Sequence, residues 1–167
     1  MELIETTHLK LQPFQKSEAT LFLRINRDRT VRKYLWDDIL ISEQQADEIL
    51  VLNQRHIERD DYGLWKIYRK DDAQIIGYAG LWHFFEEAQP QLIYALLPEF
   101  CGNGWATEAS AAIMRYAFDS LEFPDLVASM DEGHTDSENV AKRIGMVFWK
   151  RKIIDGKPTI FYRALAN

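Results

Sequence analysis

Two short segments of this chain carry residue types at spacings that suit chemistry. The first, residues 101 to 109, reads CGNGWATEA and sets Gly102 and Gly104 directly ahead of an amphipathic stretch. A helix that begins near Gly104 exposes first-turn N–H groups with no intrahelical acceptor, and its dipole adds partial positive charge there. The two glycines let the main chain bend close to a bulky guest, and Ala106 keeps the first turn clear of side chains. A phosphate or pyrophosphate suits such a place. Glu108, in the same turn, favours the dipole. A glycine-rich turn that binds nothing has the same spacing, and the glycines alone do not separate the two readings. No lysine follows Gly104 as a P-loop requires, and the third glycine of a dinucleotide fingerprint is absent.

The second segment, HTDSENVAKRIGM, starts at His134. Ser137, Val140, Ala141 and Ile144 share one helical face, which directs a hydroxyl among apolar neighbours. It can serve a reacting group, or it can satisfy a backbone group of its own first turn. His134 has a side chain whose ordinary pKa suits a general base, and equally suits a surface residue ahead of a helix. Glu86, Glu87, His83 and Asp131 are the other candidate bases, each also readable as a solvated or paired residue. Cys101, the single cysteine, leaves no internal disulfide and no cysteine cluster for metal. A thiol near a helix N-terminus is expected to have a depressed pKa, but no histidine adjoins it in sequence, and it is read as structural or incidental.

The elements that must position these residues alternate. THLKLQPF has a strand period, and Ser17 opens a helix with Ala19, Phe22, Leu23 and Asn26 on one face. Ser42 and Gln45 form a capping box for a helix whose apolar face is Ala46, Ile49, Leu50 and Ile57. Two strands flank the turn Lys70–Ala73, and LIYALL is a further strand stopped by Pro98. The helix after Gly104 buries Ala109, Ile113, Tyr116 and Ala117. DLVASM is a strand, Thr135 and Glu138 form a T-x-x-E capping box, Gly145 ends that helix, and Asp155-Gly156 turns a closing hairpin. This order predicts an α/β or α+β fold.

Length and composition limit the function. The 167 residues, 47% apolar and 28% charged, fit one domain over 1–167 with a sizeable core. A net charge of -6 argues against a nucleic-acid or lipid-surface partner and favours a cationic or neutral one. No stretch approaches membrane-spanning length and no leader pattern opens the chain, so a cytoplasmic location is expected.

Taken together, LLPEFCGNGWATEA, HTDSENVAKRIGM and the terminal GKPTIFYRAL resemble the GNAT superfamily of acyl-CoA-dependent N-acyltransferases, and most closely its branch that acetylates ribosomal-protein N-termini. TTHLKLQPF and IIGYAGLW extend the likeness through essentially the whole chain. The superfamily pattern [RQ]-x-x-G-x-[GA] falls on Cys101 to Ala106, with cysteine in the first position. The resemblance implies one mixed, mostly antiparallel sheet of six to seven strands, splayed between the fourth and fifth, with about four helices on its two faces. It implies acetyl-CoA as co-substrate and no metal. The pyrophosphate would lie on the N–H groups of Gly102, Gly104, Ala106 and Thr107, with Asn103 and Trp105 flanking, and the pantetheine arm along Ala95, Leu96 and Leu97. Ser137 would protonate the departing thiolate, the Leu96 region would hold the carbonyl, and His134, where the family usually has asparagine, would bond the pantetheine or a water. Many relatives carry an acid at the position of Gln91, so His134 and Glu87 stand as the candidate bases beside Ser137. The acceptor would be a small amine or a protein N-terminus, walled by residues 28–54 and by HFFEEAQPQ, with Asp37, Asp38, Glu86 and Glu87 suited to a cation; a homodimer is compatible. Two alternatives are a CoA-binding sensor without turnover, favoured by Gln91, and an interaction module using Trp36, Trp65 and Trp82.

Overall fold

The computed structural model describes residues 2–85 and 88–166. Among these residues eight strands form two antiparallel sheets. The larger has the order β1-β2-β3-β4-β5, with β1 at Ile4–Glu5, β2 at Leu9–Pro13, β3 at Leu64–Arg69, β4 at Ile75–Trp82 and β5 at Gln91–Leu96. The smaller has the order β6-β8-β7, with β6 at Asp125–Asp131, β7 at Val147–Ile154 and β8 at Lys157–Leu165. The expected splay falls between β5 and β6. It is complete: those strands touch, but among the described residues no ladder joins them, so the one anticipated sheet is divided in two.

Five α-helices cover the sheets: α1 at Ala19–Arg27, α2 at Arg29–Leu35, α3 at Glu43–Asp60, α4 at Trp105–Asp119 and α5 at Thr135–Arg143. Strands β3 and β4 are buried on both faces, and the two faces carry separate apolar clusters. One cluster joins Leu9, Leu11, Trp65 and Ile67 to Ala109, Ile113 and Ala117 of α4 and to Ala141 and Ile144 at the C-terminal part of α5. The other joins Phe14, Tyr78, Ile93 and Ala95 to Phe22 and Ile25 of α1, Val31 of α2 and Leu50 of α3.

Three local expectations change. The first helix opens with a 3-10 turn over Lys16–Glu18 that contains Ser17, and the Glu18 carboxylate accepts from the Gln15 N–H at 2.7 Å. Helix α2 was not foreseen; Asp28 caps it by accepting from the N–H groups of Thr30 at 2.8 Å and Val31 at 3.2 Å. The T-x-x-E box does not form. Helix α5 begins at Thr135 itself, which puts the threonine inside the first turn, and Glu138 instead accepts from the Tyr162 hydroxyl at 3.0 Å. The Ser42 and Gln45 box does form, with reciprocal bonds of 3.1 and 2.8 Å.

Candidate active site

The splay opens a cleft of about 790 Å³ lined from β5, β6, the loop before α4, and helices α2 and α5. Backbone geometry decides what β5 offers it. The Leu97 N–H donates to the Ile76 carbonyl of β4 at 2.9 Å. Successive residues of a strand point their amides to opposite edges, so the N–H groups of Tyr94 and Leu96 face the cleft, where they have no backbone partner among the described residues. The first turn of α4 makes a second set of donors. Glu108 N–H is the first to bond within the helix, to Gly104 at 3.0 Å, so the N–H groups of Trp105, Ala106 and Thr107 have no intrahelical acceptor. Gly102 and Gly104 adopt φ of 81° and 82°, left-handed values that glycine meets without strain. A Cβ at either would meet nothing within 4 Å. The space in front of this backbone is open, and it is the left-handed turn that requires glycine.

Helix α5 brings its first turn to the same cleft. Ser137 is half-buried, and its hydroxyl makes no hydrogen bond among the described residues. Its backbone carbonyl accepts from the Tyr94 hydroxyl at 3.1 Å, which ties α5 to β5 across the splay. Burial pushes the Tyr94 phenol up to about 12, so it acts as a neutral donor. His134 also lines the cleft, its ring stacked on Tyr34 of α2 with centroids 3.6 Å apart and planes 5° from parallel. Burial holds the imidazole pKa below its ordinary value against the opposing pull of Asp136 and Asp131, and Lys33 adds to the lowering. His134 is therefore neutral near pH 7, with a lone pair able to take a proton.

The chain that carries this left-handed loop and splayed strand edge also matches a known family. The model of the acetyltransferase (GNAT) domain matches residues 8–147. The chain belongs to the GNAT acetyltransferase family. It is an acyltransferase enzyme. It is 30% identical over 149 residues to the uncharacterized protein YkkB of Bacillus subtilis, covering 88% of this chain and 86% of that one. In fold it is similar to a putative GnaT-family acetyltransferase from Bordetella pertussis, at TM-score 0.84 and 19% identity, over 98% of this chain and 99% of the other. It is likewise similar to RimL, a ribosomal L7/L12 alpha-N-protein acetyltransferase solved with coenzyme A, at TM-score 0.81 and 16% identity over 99% and 98% of the two chains.

Within this GNAT cleft the foreseen residues divide. Ala95, Leu96, Gly102, Gly104, Trp105, Ala106, Thr107, His134 and Ser137 all line it, as does Asp131. Leu97 turns its amide to β4 and its side chain to the cluster under α1–α3. The Asn103 amide folds back to the carbonyls of Cys101 and Phe100, at 3.1 and 3.4 Å. Trp105 stacks beneath the Arg69 guanidinium, 5.0 Å from its ring centre. Glu108 is not free for a ligand: it accepts from the Thr6 hydroxyl and from both the backbone and the ring of His8. His83 stands outside the cleft lining, bonded to the Tyr62 hydroxyl at 2.7 Å. Glu86 and Glu87 lie outside the described residues. Gln91 is buried outside the cleft lining and accepts from the Ser129 hydroxyl at 2.7 Å.

Two expectations are overturned by packing. The Cys101 pKa is raised, not depressed: partial burial pushes it up, and the carboxylates of Asp136, Asp28 and Glu99 add to the rise. Of the tryptophans offered as an interaction surface, Trp65 is fully buried, while Trp36 and Trp82 are half-buried, Trp36 donating its indole N–H to Asn26 at 2.8 Å and Trp82 packing edge-on to His56. Sequence reasoning also missed lining residues, chiefly Tyr34, Tyr94, Asn139 and Arg143. The i, i+4 spacing of Asn139 and Arg143 on the Ser137 helix was an available signal; Tyr34 and Tyr94 had none.

Proposed function

We propose that this protein is an acetyl-CoA-dependent N-acetyltransferase that moves the acetyl group directly to a primary amine, of a small molecule or a protein N-terminus. The observation that carries the reading is convergence: one cleft gathers the cleft-facing β5 amides, the unbonded α4 amides, an uncommitted serine hydroxyl and a neutral histidine. The open space before Gly102 and Gly104 fits a pyrophosphate. Bound acetyl-CoA would supply the acyl group as an activated thioester.

The chain's own groups then divide the labour. The amides of Gly102, Gly104, Ala106 and Thr107 bind the pyrophosphate, and the β5 edge holds the pantetheine arm as an added strand would be held. The Leu96 N–H serves the carbonyl oxygen as negative charge develops on it. His134 removes the proton of the attacking ammonium, directly or through water, and Ser137 returns one to the leaving sulfur. Residues 1–167 act as one domain in this reading. Similarity to the ribosomal-protein branch favours a protein N-terminus among acceptors, and the acidic balance favours a cationic one.

A CoA sensor without turnover draws support from the buried amide of Gln91 where many relatives carry an acid. Two measurements separate the readings. Acetyl-CoA at a hundredfold its Kd should stabilise the fold by about 2.7 kcal/mol in a thermal-shift assay. Free CoA thiol should then appear on addition of N-terminal peptides or small amines, and kcat in Ser137→Ala should fall with KM for acetyl-CoA little changed. Binding with silence across a broad amine panel would make the protein a sensor.

A further inference from the structure

The face-to-face stack of Tyr34 on His134 joins two elements that are far apart in sequence, and a continuous set of contacts fixes it. The buried Asn26 side-chain oxygen of α1 accepts from the Tyr78 hydroxyl of β4 and from the Trp36 indole N–H at the end of α2, each at 2.8 Å. Val31 is buried beneath α2, and Asp28 caps its start. Asp38, just beyond the helix, accepts from the Arg32 side chain at 2.8 Å. The core thus decides where α2 ends, and α2 carries Tyr34 to the cleft wall. The stack fixes the plane of the imidazole while its edge stays at the cleft.

We propose that Tyr34 is a positioning residue for His134: its ring clamps the imidazole in the plane from which His134 reaches the acceptor amine. This rests on the assignment of His134 as the base. The clamp does two things. It removes the rotation of His134 about its side-chain bonds, so that no orientation is lost when a proton moves. It also covers one face of the imidazole, and so favours the neutral form that can accept a proton. Charges from each surrounding element act on the same ring: Asp136 of α5 and Asp131 of β6 favour the cation, and Lys33 of α2, itself 4.8 Å from the Tyr34 ring centre, opposes it. The Asp37 and Lys157 pair lines the same cleft and links the turn after α2 to the β7–β8 hairpin. Stacking needs only an aromatic plane, so phenylalanine at position 34 should serve and a side chain without a ring should not.

The test uses Tyr34→Phe, Tyr34→Ala and His134→Gln in the full chain, with two readouts. The first is the NMR titration of the His134 imidazole with CoA present and absent. The second is the pH dependence of kcat and KM with acetyl-CoA and whichever amine the acceptor screen yields. Tyr34→Phe should keep the wild-type titration and rate. Tyr34→Ala, which opens that face of the imidazole to water, should move the His134 titration up toward 6.5. The acid limb of the rate profile should follow it, with kcat lowered several-fold and KM for acetyl-CoA unchanged. His134→Gln should cost roughly a hundredfold in kcat and abolish that limb. An unmoved His134 titration in Tyr34→Ala would overturn the clamp, even if His134→Gln were inactive. Full activity of His134→Gln would overturn the base assignment, and the Tyr34 inference with it.

Discussion

At the scale of single residues, Gly104 and Cys101 show what a local motif can and cannot tell. Gly104 is required by its φ of 82°, because open space surrounds its missing Cβ. Gly104→Ala should therefore cost about 1–2 kcal/mol for the left-handed residue. Refolding of the loop to relieve that strain would misdirect the amides, and CoA affinity should fall tenfold or more by calorimetry, as about 1.4 kcal/mol of lost binding implies. Gly104→Asn tolerates the left-handed turn better but adds a side chain. If it restores affinity, strain was the cause; if it binds as poorly as alanine, the guest needs the space. The adjoining thiol is raised in pKa, because burial and the carboxylates of Asp136 and Asp28, remote in sequence, join the neighbouring Glu99 in disfavouring its thiolate. Helical spacing alone put the Ser137 hydroxyl on the apolar face of α5, and only the family resemblance gave it a role. Tyr94, whose hydroxyl holds the Ser137 carbonyl, was one more strand aromatic in LIYALL until the chain folded.

At the scale of elements, the site depends on ties between segments remote in sequence. Glu108 joins α4 to the turn between β1 and β2 by bonds of 2.6 Å from the Thr6 hydroxyl, 2.8 Å from the His8 N–H and 2.9 Å to the His8 ring. Glu108→Ala should lower stability by about 2 kcal/mol in urea unfolding, the range for hydrogen bonds to a charged group. Burial alone would raise the Glu108 pKa, but the bonds from Thr6 and His8 outweigh it and hold the pKa below 4.5. The stabilisation is then present in full above 4.5 and lost as pH falls through the lowered value, so wild type and variant should converge in acid. Strand β5 yields a second test. If a pantetheine arm pairs with its free edge, CoA should slow amide hydrogen exchange at Tyr94 and Leu96. Ile93 and Ala95, on the edge bonded to β4, should change little. Equal protection of all four would point to general stiffening in place of pairing. Helix α2 was missed because seven residues give too few turns for periodicity to register, although Asp28 carried the cap signal.

At the scale of the whole molecule, the GNAT fold separates binding from packing. Two apolar clusters on opposite faces of β3 and β4 hold the helices, while the division between β5 and β6 leaves one strand edge and one helix terminus for a ligand. Among the described residues no helix is long and apolar enough to cross a membrane. The order of the elements other than α2, the glycine turn ahead of α4 and the serine face of α5 were determined by the sequence alone, because turn chemistry and periodicity act over a few neighbouring residues. Only the tertiary structure decided that the sheet divides, that the Cys101 thiol is disfavoured as a thiolate, that Trp65 is buried, and that Tyr34 faces His134. Each of those depends on burial and on charges or rings brought together from positions up to a hundred residues apart, and no short-range pattern encodes that proximity.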